Sequence, residues 1–201
     1  MATNKKTKAE KLVNLIFEAR ILKYINRASY NYLKGPIKEN VAEHSYYTTL
    51  IALVLAKEEK KDEGKVLKMA VLHDLVEARG GERNLINKFY TQTRLDTKIM
   101  EEICKDSSLE SFGFEKLFGE YFKGKTTEAK IVKDADILAG MLLEKECFDL
   151  GNKKAKKWID VSFSRLKTKT GKIIGKKLKE LDSDKWWLEL SKKYILKTKF
   201  L

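Results

Sequence analysis

The stretch from Val71 to Glu77, VLHDLVE, places an imidazole and two carboxylates close together in the chain. On a helix, residues three and four positions apart share a face, so Glu77 is expected to neighbour both His73 and Asp74. The apolar spacing around the stretch predicts that His73 points inward. A buried histidine beside an acid needs partners, because an unpaired buried polar group is costly. The pattern is typical either of a hydrogen-bonded core histidine or of a metal ligand.

The only other histidine of the chain, His44, lies in the segment from Glu39 to Ser45, ENVAEHS. Its helical spacing to Val41 and Thr48 predicts that it also faces inward. A lone buried histidine is usually a hydrogen-bonded core residue, but two inward histidines that each neighbour an acid are typical of ligands to one metal ion. Imidazole together with carboxylate suits Mn, Co, Fe, Ni or Zn better than Mg or Ca. The sequence therefore predicts one divalent transition metal ion.

A further pair of acids, Asp134 and Asp136, lies in a long amphipathic pattern. The two residues are two positions apart, so their side chains point in roughly opposite directions on a helix. Both lie at the edges of the apolar stripe. The periodicity therefore leaves both open as a further ligand.

The segments that contain these histidines and acids, taken in their order along the chain, resemble the HD-domain metal phosphohydrolases, and within them the 5'-deoxynucleotidase branch. That branch has an Arg and an aromatic residue before Glu-x-Val-Ala-Glu-His-Ser, then His-Asp-x-x-Glu, Gly-Asp and Val-Lys-x-Ala-Asp. The matching positions here are Arg27, Tyr30, Glu39 to Ser45, His73 to Glu77, Gly81-Glu82 and Val132 to Asp136. The resemblance covers roughly residues 20 to 150.

The resemblance implies a set of four metal ligands: His44, His73, Asp74 and Asp136. A divalent metal lowers the pKa of bound water towards ~7, which provides a nucleophile for phosphate ester hydrolysis near neutral pH. The resemblance also implies a catalytic role for Glu77, which would orient or deprotonate that water. Alternatively, or in addition, Glu77 supports a ligating histidine. Asp134 is then expected to be a surface acid or to support a ligand.

The substrate residues implied by the resemblance are Arg27, Tyr30 and Glu82. A guanidinium matches phosphate in a bidentate way, so Arg27 is expected to hold the substrate phosphate. In the branch a Trp commonly lies close after this Arg, whereas here Ala28 and Ser29 follow and Tyr30 takes the aromatic place. Glu82 stands where the branch has an Asp that contacts the sugar, and it is one methylene longer. The preference between deoxyribose and ribose is therefore not carried over.

Composition predicts a single all-α domain, and the resemblance implies a helical bundle of the HD-domain type. A chain of 201 residues suffices for one domain with a sizeable core, and its single Pro and 11 Gly favour long helices. The patterns predict helices at about 8–26, 39–60, 66–77, 93–105, 114–122, 126–150, 153–169, 172–181 and 184–197. The second and third of these would form an antiparallel pair that brings His44 and His73 together across a bundle core.

Charge is uneven along the chain, whose formal net charge is +13. Residues 151–201 form a basic C-terminal extension with 16 Lys and Arg against 5 Asp and Glu. Such a block could bind nucleic acid, but a solvated helical surface is the favoured interpretation. No stretch approaches the ~20 apolar residues that cross a membrane, and the Lys-rich start is not a secretory signal. With Cys104 and Cys147 expected to be free thiols, the predicted location is cytoplasmic.

The leading functional prediction is a 5'-nucleotidase that releases phosphate from deoxyribonucleoside 5'-monophosphates. The resemblance implies a homodimer. One alternative is another HD phosphohydrolase that acts on nucleoside polyphosphates or cyclic dinucleotides, although the Gly-Tyr-Pro segment of the cyclic-dinucleotide branch has no counterpart here. A second alternative is a nucleic-acid-binding helical protein with a vestigial HD site, which the basic C-terminal extension motivates.

Overall fold

The computed structural model describes residues 6–35, 37–91 and 94–198, and most of them are helical. The α-helices are α1 Lys8–Arg20, α2 Val41–Glu58, α3 Glu63–Leu72, α4 Glu77–Gly80, α5 Leu85–Tyr90, α6 Arg94–Ser107, α7 Phe114–Lys123, α8 Thr127–Asp149, α9 Ala155–Arg165, α10 Lys169–Glu180 and α11 Lys185–Thr198. Within the described ranges there is no strand, only an isolated bridge between Asn26 and Asn40. The predicted all-α architecture is confirmed. The predicted helix start at residue 93 lies outside the described residues, as do positions 1–5 and 199–201 of the predicted domain.

Several helices begin where local side chains satisfy the first free backbone N–H groups. The residues whose side chains accept such an N–H bond are Thr7, Asn40, Asp62, Asn84, Thr126 and Thr168. Each cap of this kind stabilises a helix by about 1 kcal/mol. At the start of α2, Glu43 also bonds back to the Asn40 amide and completes a capping box. His44, the first histidine of the chain, therefore lies in a well-defined first turn of α2.

Helix α8 is the centre of the bundle. It packs against α2, α3, α7, α9 and α10. Its apolar face is fully buried, as Ile131, Ala135 and Met141 show. The most extensive contacts of α8 are with α2 and α9. Helix α8 therefore packs along the helix that carries His44.

The predicted continuous helix at 66–77 is wrong. Helix α3 ends at Leu72, and the four residues before α4 form tight turns, in which the Glu77 amide donates to the Asp74 carbonyl at 3.0 Å. The His73 ring provides a physical reason, because its Nδ1 bonds to the Ala70 carbonyl at 2.7 Å. In a continuous helix that carbonyl would accept only from the amide of Asp74. The turn lets two adjacent side chains point towards the same centre.

The predicted first helix, 8–26, also ends early. After α1 the chain continues as the 3-10 segment Ile21–Tyr24 and then becomes extended. The reason is a pairing with the segment before α2, in which the Arg27 amide donates to the Glu39 carbonyl at 2.9 Å. This pairing holds Arg27 beside the start of α2.

The predicted helix at 153–169 ends early, at Arg165, and α10 begins at Lys169, before the predicted start at 172. Asp134 stabilises the turn between the two helices, because its carboxylate accepts the amides of Lys167 and Thr168 at 2.7 to 3.0 Å and the Thr168 hydroxyl at 2.7 Å. Asp134 is fully buried. The expectation of a surface acid was therefore wrong, and Asp134 instead anchors the start of α10 to the centre of the bundle.

The described helices include none that combines the length and the apolar character needed to span a membrane.

Candidate metal centre and active site

Three segments that are distant in sequence bring the predicted ligands together. His44 lies in the first turn of α2, His73 and Asp74 lie in the turn after α3, and Asp136 lies in α8. His44 Nε2 is 3.0 Å from Asp136 Oδ1 and 3.8 Å from Asp74 Oδ2, and His73 Nε2 is 3.1 Å from Asp74 Oδ2. The ligand atoms of His44, His73 and Asp74 all lie within 4.8 Å of one another. The arrangement is a compact set of two nitrogen and two carboxylate donors.

His73 has the geometry of a metal ligand. A proton on Nδ1 donated to the Ala70 carbonyl leaves the lone pair on Nε2, which points into the cluster. This Nε2 atom is buried and has no hydrogen-bond partner in the described part of the chain. Ligating histidines commonly have their other ring nitrogen fixed by such a carbonyl. The residues present therefore fit a metal ion of the predicted class.

Glu39 supports this centre, a role that the sequence analysis did not assign. Its Oε2 lies 3.6 Å from His44 Nδ1 and 3.9 Å from Arg27 Nε, and its side chain is buried. The carboxylate therefore orients the ring whose Nε2 faces the cluster and also faces the guanidinium. Its place at the start of the Glu-x-Val-Ala-Glu-His-Ser segment was the signal that could have revealed it.

Electrostatics favour anionic carboxylates at the centre. Burial is the largest single influence on the pKa of Asp74 and raises it, but the neighbouring His73, His44 and Arg27 together outweigh burial and hold that pKa well below its usual range. For Asp136 burial is again the largest influence, and the hydrogen bond from His44 together with the nearby positive charges outweighs it. Burial and the Arg27 charge lower the pKa of His44, but the hydrogen bond and charge of Asp136 and the nearby Glu39 carboxylate together outweigh them and raise that pKa to about 9. A bound cation would take the place of the His44 proton.

Glu77 and Glu82 form an acidic wall next to the ligands. Burial, followed by the charge of Asp74 and the neighbouring carboxyl of Glu82, raises the pKa of Glu77 to about 11. One carboxylate oxygen of each residue is buried without a hydrogen-bond partner among the described residues. Two buried carboxyls beside two anionic ligands repel one another, so the wall favours a cation or a proton at this position.

Arg27 faces the acids of the site. Its Nη1 is 3.5 Å from Asp74 Oδ2 and 4.0 Å from Glu82 Oε1. The guanidinium lies 5.9 Å from the centre of the Tyr30 ring. The Tyr30 hydroxyl in turn donates to the Gly140 carbonyl in α8 at 3.1 Å. The three predicted substrate residues therefore lie near one another, with Arg27 between Tyr30 and the acids of the site.

An open cavity of about 310 Å³ adjoins the cluster next to α7. His73, Asp74 and Glu77 contribute to its wall, together with Tyr121 of α7 and Lys133 of α8. The Tyr121 ring meets the His73 ring edge-on, with centroids 5.9 Å apart. The sequence analysis assigned no role to Tyr121 or Lys133. The cavity gives a ligand access to the histidine and to the acidic wall.

The chain is similar in sequence to known proteins. The model of the HD domain family matches residues 19–182. The 5'-deoxynucleotidase HDDC2 of Dictyostelium discoideum is 33% identical over 132 residues, which cover 58% of this chain and 69% of that protein.

Solved structures share the fold. A conserved hypothetical protein from Pyrococcus furiosus has a TM-score of 0.68 and 26% identity, over 84% of this chain and 99% of that one. A predicted metal-dependent phosphohydrolase from Magnetospirillum magnetotacticum has a TM-score of 0.69 over 90% of this chain and 95% of that one. At 21% identity, the second likeness shows the fold alone.

Proposed function

Because this chain belongs to the HD-domain family of metal-dependent phosphohydrolases, we propose that it is a 5'-nucleotidase that releases phosphate from deoxyribonucleoside 5'-monophosphates. The observation that carries the proposal is the cluster of His44, His73 and Asp74, with Asp136 bonded to His44 at 3.0 Å. The Dictyostelium relative, which is named a 5'-deoxynucleotidase, supports the substrate class.

The proposed metal ligands are the two histidine Nε2 atoms and the carboxylates of Asp74 and Asp136. Their nitrogen and oxygen donors suit Mn, Co, Fe, Ni or Zn. Such an ion supplies an activated water near neutral pH and offsets the charge that develops on the phosphoryl oxygens. His73 presents its lone pair to this position because its Nδ1 proton is held by the Ala70 carbonyl.

The proposed acid–base residue is Glu77. Its carboxyl is buried at the start of α4 and lines the cavity beside His73 and Asp74. A metal ion bound beside Glu77 would offset the neighbouring negative charges and lower the pKa of this carboxyl. The carboxylate would then take a proton from the attacking water and later return one to the leaving alkoxide oxygen. Water attack on phosphorus breaks the P–O bond to the nucleoside, so inorganic phosphate and a nucleoside are the products.

Arg27 is the proposed phosphate ligand, with Tyr30 and Glu82 as proposed sugar or base contacts. The guanidinium already faces the acids of the centre, with Nη1 3.5 Å from Asp74 Oδ2. Substrate phosphate would exchange for part of this pairing, because a guanidinium binds phosphate through two parallel N–H bonds. The proximity of the three side chains to one another supports this assignment.

We further propose that the protein is a homodimer. Tyr24, Tyr46 and Tyr47 are exposed and line one open groove at the start of α2. Exposed aromatic side chains of this kind are enriched at protein interfaces. Sedimentation equilibrium should give twice the chain mass, and a monomer at every concentration would contradict the proposal.

A nucleotide panel tests the function most directly. Phosphate release is measured from deoxyribonucleoside and ribonucleoside 5'-monophosphates, from triphosphates and from cyclic dinucleotides, with each of the five metals. We expect release from the deoxyribonucleoside monophosphates, and loss of it with a chelator. Release only from the triphosphates would instead identify a polyphosphate hydrolase.

A further inference from the structure

A second cation, Lys133, reaches the metal centre from the side of α7. It lies one turn before Asp136 in α8, so the two side chains share a face of that helix. It contributes to the wall of the cavity of about 310 Å³ together with His73 and Glu77. Arg27 approaches the centre from the start of α2 instead, and the wall of this cavity is formed by other residues. A ligand in this cavity therefore has Lys133 in its wall, whereas Arg27 is not among the residues that line it.

Contacts with the C-terminal end of α7 hold the side chain of Lys133 in place. Its ammonium donates to the Phe122 carbonyl at 3.3 Å and lies 5.4 Å from the centre of the Tyr121 ring. Gly124, which ends α7 at φ 62°, leaves space for the stem, since a Cβ there would lie 2.8 Å from Lys133 Cε. The conformation of Gly124 is one that glycine adopts at little cost. The backbone after α7 is therefore shaped around this lysine.

The bond to Phe122 alone does not account for this placement. A lysine that only capped the C-terminus of α7 would satisfy a carbonyl and leave the cavity to other groups. An ammonium has three donors, so the bond to one carbonyl leaves it able to bind an oxygen in the cavity. Lys133 is half-buried, and an ion pair is screened less at such a position than on an open surface.

We propose that Lys133 binds the phosphate group of the substrate from the α7 side of the metal centre. This inference rests on the proposed function and gives its phosphate group a second cationic ligand besides Arg27. The two cations suit different parts of one phosphate, because a guanidinium binds two oxygens in a plane whereas an ammonium acts as a compact point charge.

The test measures binding of inorganic phosphate, the expected product, to the metal-loaded full chain by isothermal titration calorimetry. Lys133→Gln removes the charge but keeps an N–H group for the Phe122 carbonyl. Lys130→Gln is the matched control, because Lys130 is exposed on the same helix and loses the same charge. We expect Lys133→Gln to weaken phosphate binding by roughly 10- to 100-fold, the usual size of one hydrogen bond to a charged group. Lys130→Gln should bind phosphate like the wild type.

Equal phosphate affinity in wild type and Lys133→Gln would overturn the proposal. If the variant then also had a lowered melting temperature, the role of Lys133 would be limited to its bond with the C-terminus of α7. A metal-loaded wild type that binds no phosphate at millimolar concentrations would also overturn it. Phosphate binding needs no turnover, so failure of the nucleotidase proposal gives a different result. In that case Lys133→Gln still weakens phosphate binding, while no nucleotide in the panel is hydrolysed.

Discussion

Asp134 and Asp136 lie two residues apart in α8, and their surroundings differ in one decisive respect. The oxygens of Asp134 accept bonds from two backbone amides and a hydroxyl at the start of α10. On the opposite side of the helix, Asp136 bonds to His44, and the neighbouring His73 Nε2 is buried without a hydrogen-bond partner within the described residues. Native interiors satisfy nearly all buried polar groups. The difference indicates that the chain itself satisfies the polar groups around Asp134, whereas a bound ligand satisfies those around Asp136.

The largest effect on activity should come from changing Asp136 to its amide. Asp136→Asn removes a proposed metal ligand, and loss of the metal removes several kcal/mol of transition-state stabilisation, or roughly 10³-fold or more in rate. Phosphate release from a deoxyribonucleoside monophosphate is the measurement, with Asp160→Asn, an exposed acid of α9, as control. An Asp136→Asn variant with near-normal release would remove Asp136 from the ligand set.

Glu77 should give the next largest effect on rate. If it handles the proton of the attacking water, Glu77→Ala should lower kcat by roughly 10²- to 10⁴-fold while the metal stays bound. If it only supports a ligating histidine, metal affinity should fall by about 10- to 100-fold instead. Measuring kcat at saturating metal, and metal affinity separately, distinguishes the two. Near-normal kcat once metal is restored would exclude the acid–base role.

Arg27 should give a smaller effect, limited to substrate. Arg27→Ala removes a charged hydrogen-bond donor to the phosphate, so kcat/KM should fall by roughly 10- to 100-fold with the metal content unchanged. Arg79→Ala is the control, because it removes a guanidinium that pairs with Glu18 and Asp106 away from the centre. If the Arg27 variant cleaves monophosphates as well as the wild type does, the phosphate ligand lies elsewhere.

Asp134 should give the smallest effect on activity and a clear effect on stability. Asp134→Asn keeps one acceptor but places an NH₂ group against the amides of Lys167 and Thr168, so at least one bond is lost. Leaving one buried donor unsatisfied costs about 1–3 kcal/mol of unfolding free energy. Denaturant unfolding measures this, and activity per folded molecule should equal the wild-type value. Loss of metal from folded Asp134→Asn would contradict the proposal that, of the two acids, only Asp136, on the other side of α8, holds the metal.

The sequence predicted the helical architecture well where periodicity is long and caps are clear, as in α2 and α8. It failed at the turn after α3, because hydrophobic spacing does not register the bond between His73 and the Ala70 carbonyl. It also failed at Asp134, whose partners lie 33 and 34 residues further along the chain. What Asp134 binds depends on where the turn between α9 and α10 lies in the folded chain, and the local sequence does not contain this information.

The candidate site was predictable where residue type and order carry the information, as for the two histidines. Tyr121 and Lys133 were not singled out, because their relation to the centre depends on how α7 packs against α3 and α8. Glu39 was part of a quoted segment, but its contacts with His44 and Arg27 require the pairing of the chain before α2. Short motifs therefore indicated the proposed ligands, and tertiary packing determines what surrounds them.

The central claim is that His44, His73, Asp74 and Asp136 hold one divalent transition metal ion. Elemental analysis of purified wild type, His73→Ala, Asp136→Ala and Asp134→Asn tests it most directly. We predict about one metal ion per chain in wild type and in Asp134→Asn, and strongly reduced metal in the other two. Equal metal content in all four proteins would contradict the metal centre.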